Sequence, residues 1–309
     1  MPRPTLTLGH SPDPDDAFMW WPITGMVHPD GIPQAGGAGR PTIDTGRFDY
    51  RAVPADIETL NRRAAGDADL DITALSARAW ADAAGRYTLT SCGASFGNGY
   101  GPKVVVRMDS TIKCDWCIRA QKPVIAVPGR RTTAFLVLGL LIAHEFESVE
   151  MPFDRILGAV ARGEVGAGLV IHEGQLTFGD LGLRQVADLG EWWKEDTGLP
   201  LPLGLNAVRR DLDERFGAGS AREVAAVLRR SIEHALAHRE RSLEYACSFA
   251  MASEGGAAAT PERIETFVGM YVNQRTLDMG PDGRQAIERL LSRGHAAGLC
   301  PAVGPIETL

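Results

Sequence analysis

Cysteine is scarce and unevenly spaced in this sequence. The 309 residues include five cysteines: Cys92, Cys114, Cys117, Cys247 and Cys300. An odd number at irregular spacing does not form the disulfide framework of a small secreted domain. Cys114 and Cys117 make a single Cys-x-x-Cys motif, and no second pair lies at zinc-site spacing. A surface loop is therefore favoured over a metal or redox site, although both remain open.

The sequence also lacks an excess of positive charge and a long apolar segment. The formal net charge of −7 argues against a nucleic-acid partner. The longest apolar run, Ala134–Ala143, is too short to span a bilayer. The N-terminal segment reaches acidic residues, namely Asp13, Asp15 and Asp16, before it has an apolar run long enough for the core of a signal peptide. We therefore expect a soluble cytoplasmic protein with neither a nucleic-acid nor a membrane partner.

The remaining composition is that of an ordinary globular protein. Hydrophobic residues make up 44% of the chain and charged residues 23%, and the length is sufficient for two domains. Short apolar segments alternate with helical periodicity from Thr5 to Gly85. This βαβα pattern predicts a parallel sheet flanked by helices, which is an α/β fold.

The segment that ends in His172 has the strongest functional signal. Leu169–Ile171 is apolar and predicts a short buried strand, and His172 and Glu173 stand where it stops. Ligands of open α/β sheets bind beyond the carboxyl ends of parallel strands. A histidine there can exchange a proton with a bound substrate near neutral pH. The alternative is a structural histidine that is hydrogen-bonded to a neighbouring loop.

Three other predicted strands are followed by polar residues. Ser11–Asp16 follows the first strand, and helix capping accounts for at least one of its aspartates. Its position nevertheless makes this loop, with Ser11 and Asp15, a candidate pocket wall. Ser76 ends a second strand. Thr132 and Thr133 open an apolar helix whose free backbone N–H groups, together with the two threonine hydroxyls, can bind an anion, although Thr132 could act only as an N-cap.

Six motifs occur in order along the chain: SPDPDDAF, DIETLN, GYGP, PGRRTTAF, GLVIHE and DLGEWWKEDTGLPLPLG. Together they resemble the 1,4-dihydroxy-6-naphthoate synthase family of the futalosine route to menaquinone. The resemblance covers Thr5 to about Gly298, and its motifs are most specific between Gly101 and Gly204.

The resemblance implies an α/β fold of the two-domain, type II periplasmic-binding-protein-like kind, with the ligand in the cleft between the domains. Two Gly/Pro-rich crossings, Gly99–Pro102 and Leu199–Gly204, agree with a chain that passes twice between domains. We expect residues 1–101 and 206–309 to form the first domain and residues 102–205 to form the second.

The resemblance also implies an activity and its residues. The family cleaves cyclic dehypoxanthine futalosine to the naphthoate without a metal or redox cofactor. The partner is thus a small molecule, carboxylated and aromatic or ribosyl-derived. By this resemblance His172 would be the catalytic base, and Ser76, Thr132 and Thr133 would line the cleft and bind substrate. From their positions beyond strand ends, we also expect substrate binding by Ser11, Asp15 and Glu173. The first loop departs from the usual SPCPND, since Asp13 replaces the cysteine and Asp15 the asparagine.

Three alternatives remain open at this point. The first is chorismate dehydratase, which is related in fold and pathway, although the IHE and TGLPLPLG segments favour the naphthoate synthase. The second is an enzyme of the same fold with a different substrate, because Asp13, Asp15 and Ala74 depart from the family pattern. The third is a non-catalytic solute-binding protein.

Overall fold

A computed structural model describes residues 2–172, 174–252 and 260–309. In these ranges the strands are, in chain order, β1 (Thr5–His10), β2 (Asp49–Pro54), β3 (Ile72–Ser76), β4 (Tyr87–Leu89), β5 (Ser95–Gly97), β6 (Lys103–Arg107), β7 (Ile125–Val127), β8 (Ser148–Glu150), β9 (Ala167–Val170), β10 (Leu183–Asp188) and β11 (Leu201–Arg209).

The helices of the same ranges alternate with these strands and then form the C-terminal part. They are α1 (Pro14–Thr24), α2 (Ile57–Ala65), α3 (Ala77–Ala83), α4 (Asp115–Gln121), α5 (Thr133–Ile142), α6 (Phe153–Ala161), α7 (Gly174–Thr177), α8 (Leu189–Thr197), α9 (Leu212–Phe216), α10 (Ser220–Ala237), α11 (Arg239–Ala252), α12 (Pro261–Tyr271), α13 (Gln274–Leu277) and α14 (Gly280–Ala296). Among these described helices, none combines the length and apolar character needed to cross a bilayer.

Local sequence signals explain where several helices begin. Pro14 occupies the first turn of α1, where its missing N–H costs no helical hydrogen bond. The Asp56 carboxylate caps α2 by accepting hydrogen bonds from the backbone N–H groups of Glu58 and Thr59. Thr132 caps α5, and most of the residues of this apolar helix are buried. The start of each of these helices is therefore fixed by local sequence, and each start follows the end of a strand.

The strands form two separate sheets. The six-stranded sheet has the order β2-β1-β3-β11-β4, with β5 paired to β11, and the five-stranded sheet has the order β10-β6-β9-β7-β8. In the first sheet β1 is parallel to both β2 and β3. In the second, β7 is parallel to both β8 and β9. Each sheet thus has parallel strands whose carboxyl ends are followed by loops that can form a site.

The chain passes between the sheets twice. It leaves the first sheet after β5 and enters the second at β6, and it returns between β10 and β11. Strand β11 begins at Leu201 and contains the boundary expected between residues 205 and 206. The division into residues 1–101 with 206–309 and residues 102–205 remains a prediction.

Candidate active site

Loops from both sheets line one cavity of about 110 Å³. Four of its residues come at or just after the ends of parallel strands: Ser11 after β1, Ser76 at the end of β3, Thr132 after β7 and His172 after β9. A wider cavity of about 740 Å³ is lined by Pro12 of the first loop and by residues that follow other strands, such as Asp56 after β2 and Phe153 after β8. The strand ends that the sequence singled out therefore lie together.

His172 is hydrogen-bonded to Asp13 across the cavity. Its Nδ1 lies 2.7 Å from Asp13 Oδ2, and each side chain is 10% exposed. The Phe153 ring packs edge-on against the imidazole, with the ring centroids 4.5 Å apart. The backbone of His172 has φ +55°, a left-handed conformation that is uncommon for residues other than glycine. These contacts hold the imidazole ring in one orientation.

Asp13 stands at the N-cap position of α1 but does not cap it with its side chain. Its carboxylate instead accepts hydrogen bonds from His172 and from Ser11 Oγ, the latter at 2.7 Å. Asp16 holds the loop, because its carboxylate accepts the Ser11 backbone N–H at 2.7 Å and Trp20 Nε1–H at 3.2 Å. The Asp13 side chain therefore does not cap the helix; its carboxylate binds the His172 imidazole instead.

Asp15 is a buried carboxyl group in the same cavity. Ser95 Oγ donates to its Oδ2 at 3.4 Å, whereas Oδ1 makes no hydrogen bond to the described residues. Burial raises the pKa of Asp15 well above its ordinary value, and the charges of Asp16 and Asp13 raise it further. Asp15 is therefore the carboxyl of this loop that is best able to carry a proton.

The raised pKa of Asp15 makes stability fall with increasing pH. The unfolded chain loses this proton near pH 4, whereas the folded protein retains it to a higher pH. Stability is therefore lost as the pH rises from the unfolded value to the folded pKa. We expect Asp15→Asn to raise the melting temperature at neutral pH by about 2 °C, the scale of ~1 kcal/mol in a chain of this size.

Calorimetric melts across pH test this expectation. The gain from Asp15→Asn should vanish below about pH 4, where the unfolded carboxyl is also protonated. The matched control is Asp69→Asn, because a hydrogen bond from Arg63 lowers the pKa of Asp69 and its loss should destabilise the protein at neutral pH. A gain from Asp15→Asn that grows toward acidic pH would contradict the assignment.

Ser76 is held at the cavity by Asn61. The Asn61 amide donates to Ser76 Oγ at 3.1 Å, and Asn61 Oδ1 accepts the Ser76 backbone N–H at 2.8 Å. Asn61 lies on α2, and its side chain is fully buried. The reciprocal pair fixes the end of β3, so Ser76 presents a fixed polar edge to the cavity.

The threonine pair uses its hydroxyl groups within the protein. Thr132 Oγ1 donates to Gly129 O at 2.7 Å and accepts the Phe135 N–H at 3.1 Å. Thr133 Oγ1 donates to Leu203 O on β11 at 2.9 Å. The N–H groups in the first turn of a helix have no acceptor within the helix. The N-terminus of α5 therefore offers backbone donors to an anionic ligand, whereas the two hydroxyl groups, which we expected to bind the anion as well, donate to carbonyl groups of the protein.

Several cavity residues were not identified from the sequence. Phe267 and Tyr271 on α12 line the cavity with Gln175 and Asn206. Tyr271 Oη donates to Gln175 Oε1 at 3.2 Å. Gln175 lies in the His172 segment, but nothing in the local pattern of α12 marks its two aromatic residues as site residues. Glu173 is outside the described residues, so its substrate-binding role remains a prediction.

The described ranges contain no group of three or more His, Cys, Asp or Glu side chains placed to hold a metal ion. The polar groups of the cavity are the carboxylates of the first loop, His172 and hydroxyl or amide side chains. This set can exchange protons with a ligand and bind its polar groups.

Comparison with known proteins places these observations in context. The chain matches a family model described as menaquinone biosynthesis over residues 6–296. It is 40% identical to a Thermus thermophilus protein named 1,4-dihydroxy-6-naphtoate synthase, with 97% of this chain and 98% of that protein covered. A Streptomyces coelicolor protein of the same name is 34% identical, with 99% and 98% covered.

Solved structures agree with the fold. A crystal structure from Archaeoglobus fulgidus aligns with a TM-score of 0.80 and 40% identity, covering 96% of this chain and 98% of that one. A Candida albicans protein described as having the generic periplasmic binding protein fold aligns with a TM-score of 0.64, covering 98% and 93%. At 10% identity this second likeness concerns the fold alone. The two-domain, type II periplasmic-binding-protein-like fold expected from the sequence is confirmed.

Proposed function

Because this chain belongs to the 1,4-dihydroxy-6-naphthoate synthase family of menaquinone biosynthesis, we propose that it cleaves cyclic dehypoxanthine futalosine to 1,4-dihydroxy-6-naphthoate. The reaction is a base-initiated elimination, which makes the protein a lyase. The observation that carries the proposal is the His172–Asp13 pair in the cavity between the sheets. The names of the relatives support this reaction over the chorismate dehydratase alternative.

His172 acts as the base. Asp13 accepts the Nδ1–H of the imidazole, so the neutral ring has Nε2 as its proton acceptor. When Nε2 takes the substrate proton, the Asp13 carboxylate stabilises the imidazolium that forms. The electron pair of the broken C–H bond becomes a double bond of the product, and the leaving group departs with its own bonding pair.

Asp15 supplies the complementary acid. Its buried carboxyl lines the same cavity as His172, and its raised pKa favours the protonated form. One site thus contains a base that can accept a proton and a protonated carboxyl group that can donate one. The proton on Asp15 is donated to an oxygen of the substrate on which negative charge develops.

The N-terminus of α5 binds the substrate carboxylate. The backbone N–H groups of Thr133 and Ala134 lie in the first turn of this helix, and both residues line the cavity. Ser76 and Ser11 supply further polar contacts. The cavity of about 110 Å³ that His172 lines holds the reacting part of the substrate.

The proposed reaction is tested directly by incubating the protein with cyclic dehypoxanthine futalosine. Mass spectrometry should detect 1,4-dihydroxy-6-naphthoate in the wild-type sample and about a hundredfold less, or still less, with His172→Asn. Binding of the compound without any product would favour a solute-binding protein. Neither binding nor product would favour an enzyme of the same fold with another substrate.

Thr133→Val should weaken substrate binding. The substitution preserves the shape of the side chain but removes the bond that Oγ1 donates to Leu203 O and the bond that it accepts from the Arg78 backbone N–H. Both bonds fix the start of α5, whose backbone N–H groups bind the substrate carboxylate in this proposal. We expect up to about tenfold weaker affinity, the scale of one hydrogen bond, with a melting temperature within a few degrees of wild type. Calorimetric titration and thermal melts measure the two effects.

Thr266→Val provides the matched control. Thr266 is exposed, and its hydroxyl donates to Glu262 O within α12, outside the cavity. This variant should bind substrate like the wild type. If Thr133→Val instead lowers the melting temperature strongly while its folded fraction binds normally, Thr133 contributes to stability and not to substrate binding.

A further inference from the structure

Cys114 and Cys117 form a pair of contacting thiols that the proposed reaction does not use. Their Sγ atoms lie 3.2 Å apart, and Cys114 is exposed while Cys117 is half-buried. Neither lines the cavity that holds His172. The pair lies at the start of α4, where Cys114 has an extended backbone and Cys117 belongs to the first helical turn.

The geometry places the two sulfur atoms close to bonding distance. A disulfide bond is about 2.04 Å long, so the sulfur atoms need to approach by roughly 1 Å. Only Asp115 and Trp116 separate the two cysteines, and the extended Cys114 backbone allows its side chain to rotate toward Cys117. Oxidation therefore needs side-chain rotation and no rearrangement of a sheet or of the cavity.

The surroundings make Cys117 more reactive than the remaining cysteines. A backbone hydrogen bond from Lys113 and the Cys114 thiol lower the pKa of Cys117. Burial instead raises the pKa of Cys92 to about 12, and it also raises that of Cys247 and Cys300. Since the thiolate is the nucleophile, Cys117 is the cysteine from which thiol–disulfide exchange should start.

A structural metal site explains the pair less well. Structural zinc sites use four ligands, most often four cysteines or cysteines with histidines. The part of the chain that the structure describes contains no cluster of three or more side chains of these kinds. Two thiolates alone leave the coordination of zinc incomplete, so the pair has the composition of a dithiol.

We propose that Cys114 and Cys117 are a redox-active dithiol that forms a reversible intramolecular disulfide by exchange with a low-molecular-weight disulfide. The Cys117 thiolate attacks one sulfur of the oxidant, forms a mixed disulfide and releases the first thiolate. Cys114 then loses its proton to water and attacks Cys117 Sγ, which releases the second thiolate. Two protein thiols are oxidised, and one disulfide is reduced to two thiols.

The test exposes the intact protein to oxidised glutathione and maps its peptides by mass spectrometry. In the wild type, the peptide with both cysteines should lose two hydrogen atoms, and dithiothreitol should restore them. In Cys114→Ser, the mixed disulfide cannot resolve, so glutathione should accumulate on Cys117. Cys117→Ser should react much more slowly, and Cys247→Ser should behave like the wild type.

Three results would overturn the proposal. The wild-type peptide could remain reduced, it could retain glutathione without releasing it, or Cys247 could react as fast as Cys117. Thermal melts of each variant verify that the comparison concerns folded protein. No substrate is involved, so the outcome is independent of the proposed naphthoate synthase activity.

Discussion

His172→Asn is expected to lower turnover by about a hundred- to ten-thousand-fold, because the substitution removes the base that accepts the substrate proton. Asparagine has a similar polar side chain and tolerates the left-handed backbone at position 172, where φ is +55°. We therefore expect a folded protein that retains most of its affinity for substrate. Turnover, the dissociation constant and the melting temperature are measured on the same preparation.

His144→Asn is the control for this variant. His144 is exposed, and its Nδ1 is within hydrogen-bond distance of Glu145 O at 2.8 Å, outside the cavity. Its replacement should leave turnover unchanged. If His172→Asn is folded, binds substrate and turns over at the wild-type rate, His172 is not the base. If turnover falls only in proportion to the folded fraction, His172 is a structural residue.

Asp13→Asn is expected to lower turnover by about a hundredfold, and by up to ~10⁴-fold if the amide reverses the imidazole tautomer. The carboxylate accepts the Nδ1–H of His172 at 2.7 Å and thereby leaves Nε2 as the proton acceptor. An amide that donates to Nδ1 favours the opposite tautomer, in which Nε2 carries the proton. The neutral amide also cannot stabilise the imidazolium as a carboxylate does.

The pH–rate profile distinguishes this positioning role from a structural one. Without the Asp13 charge, the imidazolium is less stable, so the acidic limb of kcat/KM should move to lower pH. Asp213→Asn is the control, because Asp213 accepts hydrogen bonds from the backbone N–H groups of Gly219 and Ala221 and does not line the cavity. It should affect stability alone. An Asp13→Asn profile that keeps the wild-type limb and rate would contradict the assignment.

Local sequence signals were sufficient to predict the strand ends and helix starts that build the site. The apolar segment before His172 forms β9, although the strand ends at Val170 and His172 lies in the following turn. The Thr132 cap of α5 was also predicted, and the Asp56 cap of α2 is equally local, because a capping side chain bonds to backbone within three residues. Such contacts depend on neighbours in sequence and therefore leave a local pattern.

Only the tertiary structure decided how these residues act together. Asp13 and His172 belong to loops of different sheets, and their hydrogen bond exists because the two sheets face the same cavity. For the same reason, the Thr133 hydroxyl donates its hydrogen bond to Leu203 O. Tyr271 likewise lines the cavity although it belongs to α12, far along the chain from the site residues predicted from the sequence. Sequence spacing contains no information on these distances. The raised pKa of Asp15 likewise depends on burial and on two nearby carboxylates, which packing alone determines.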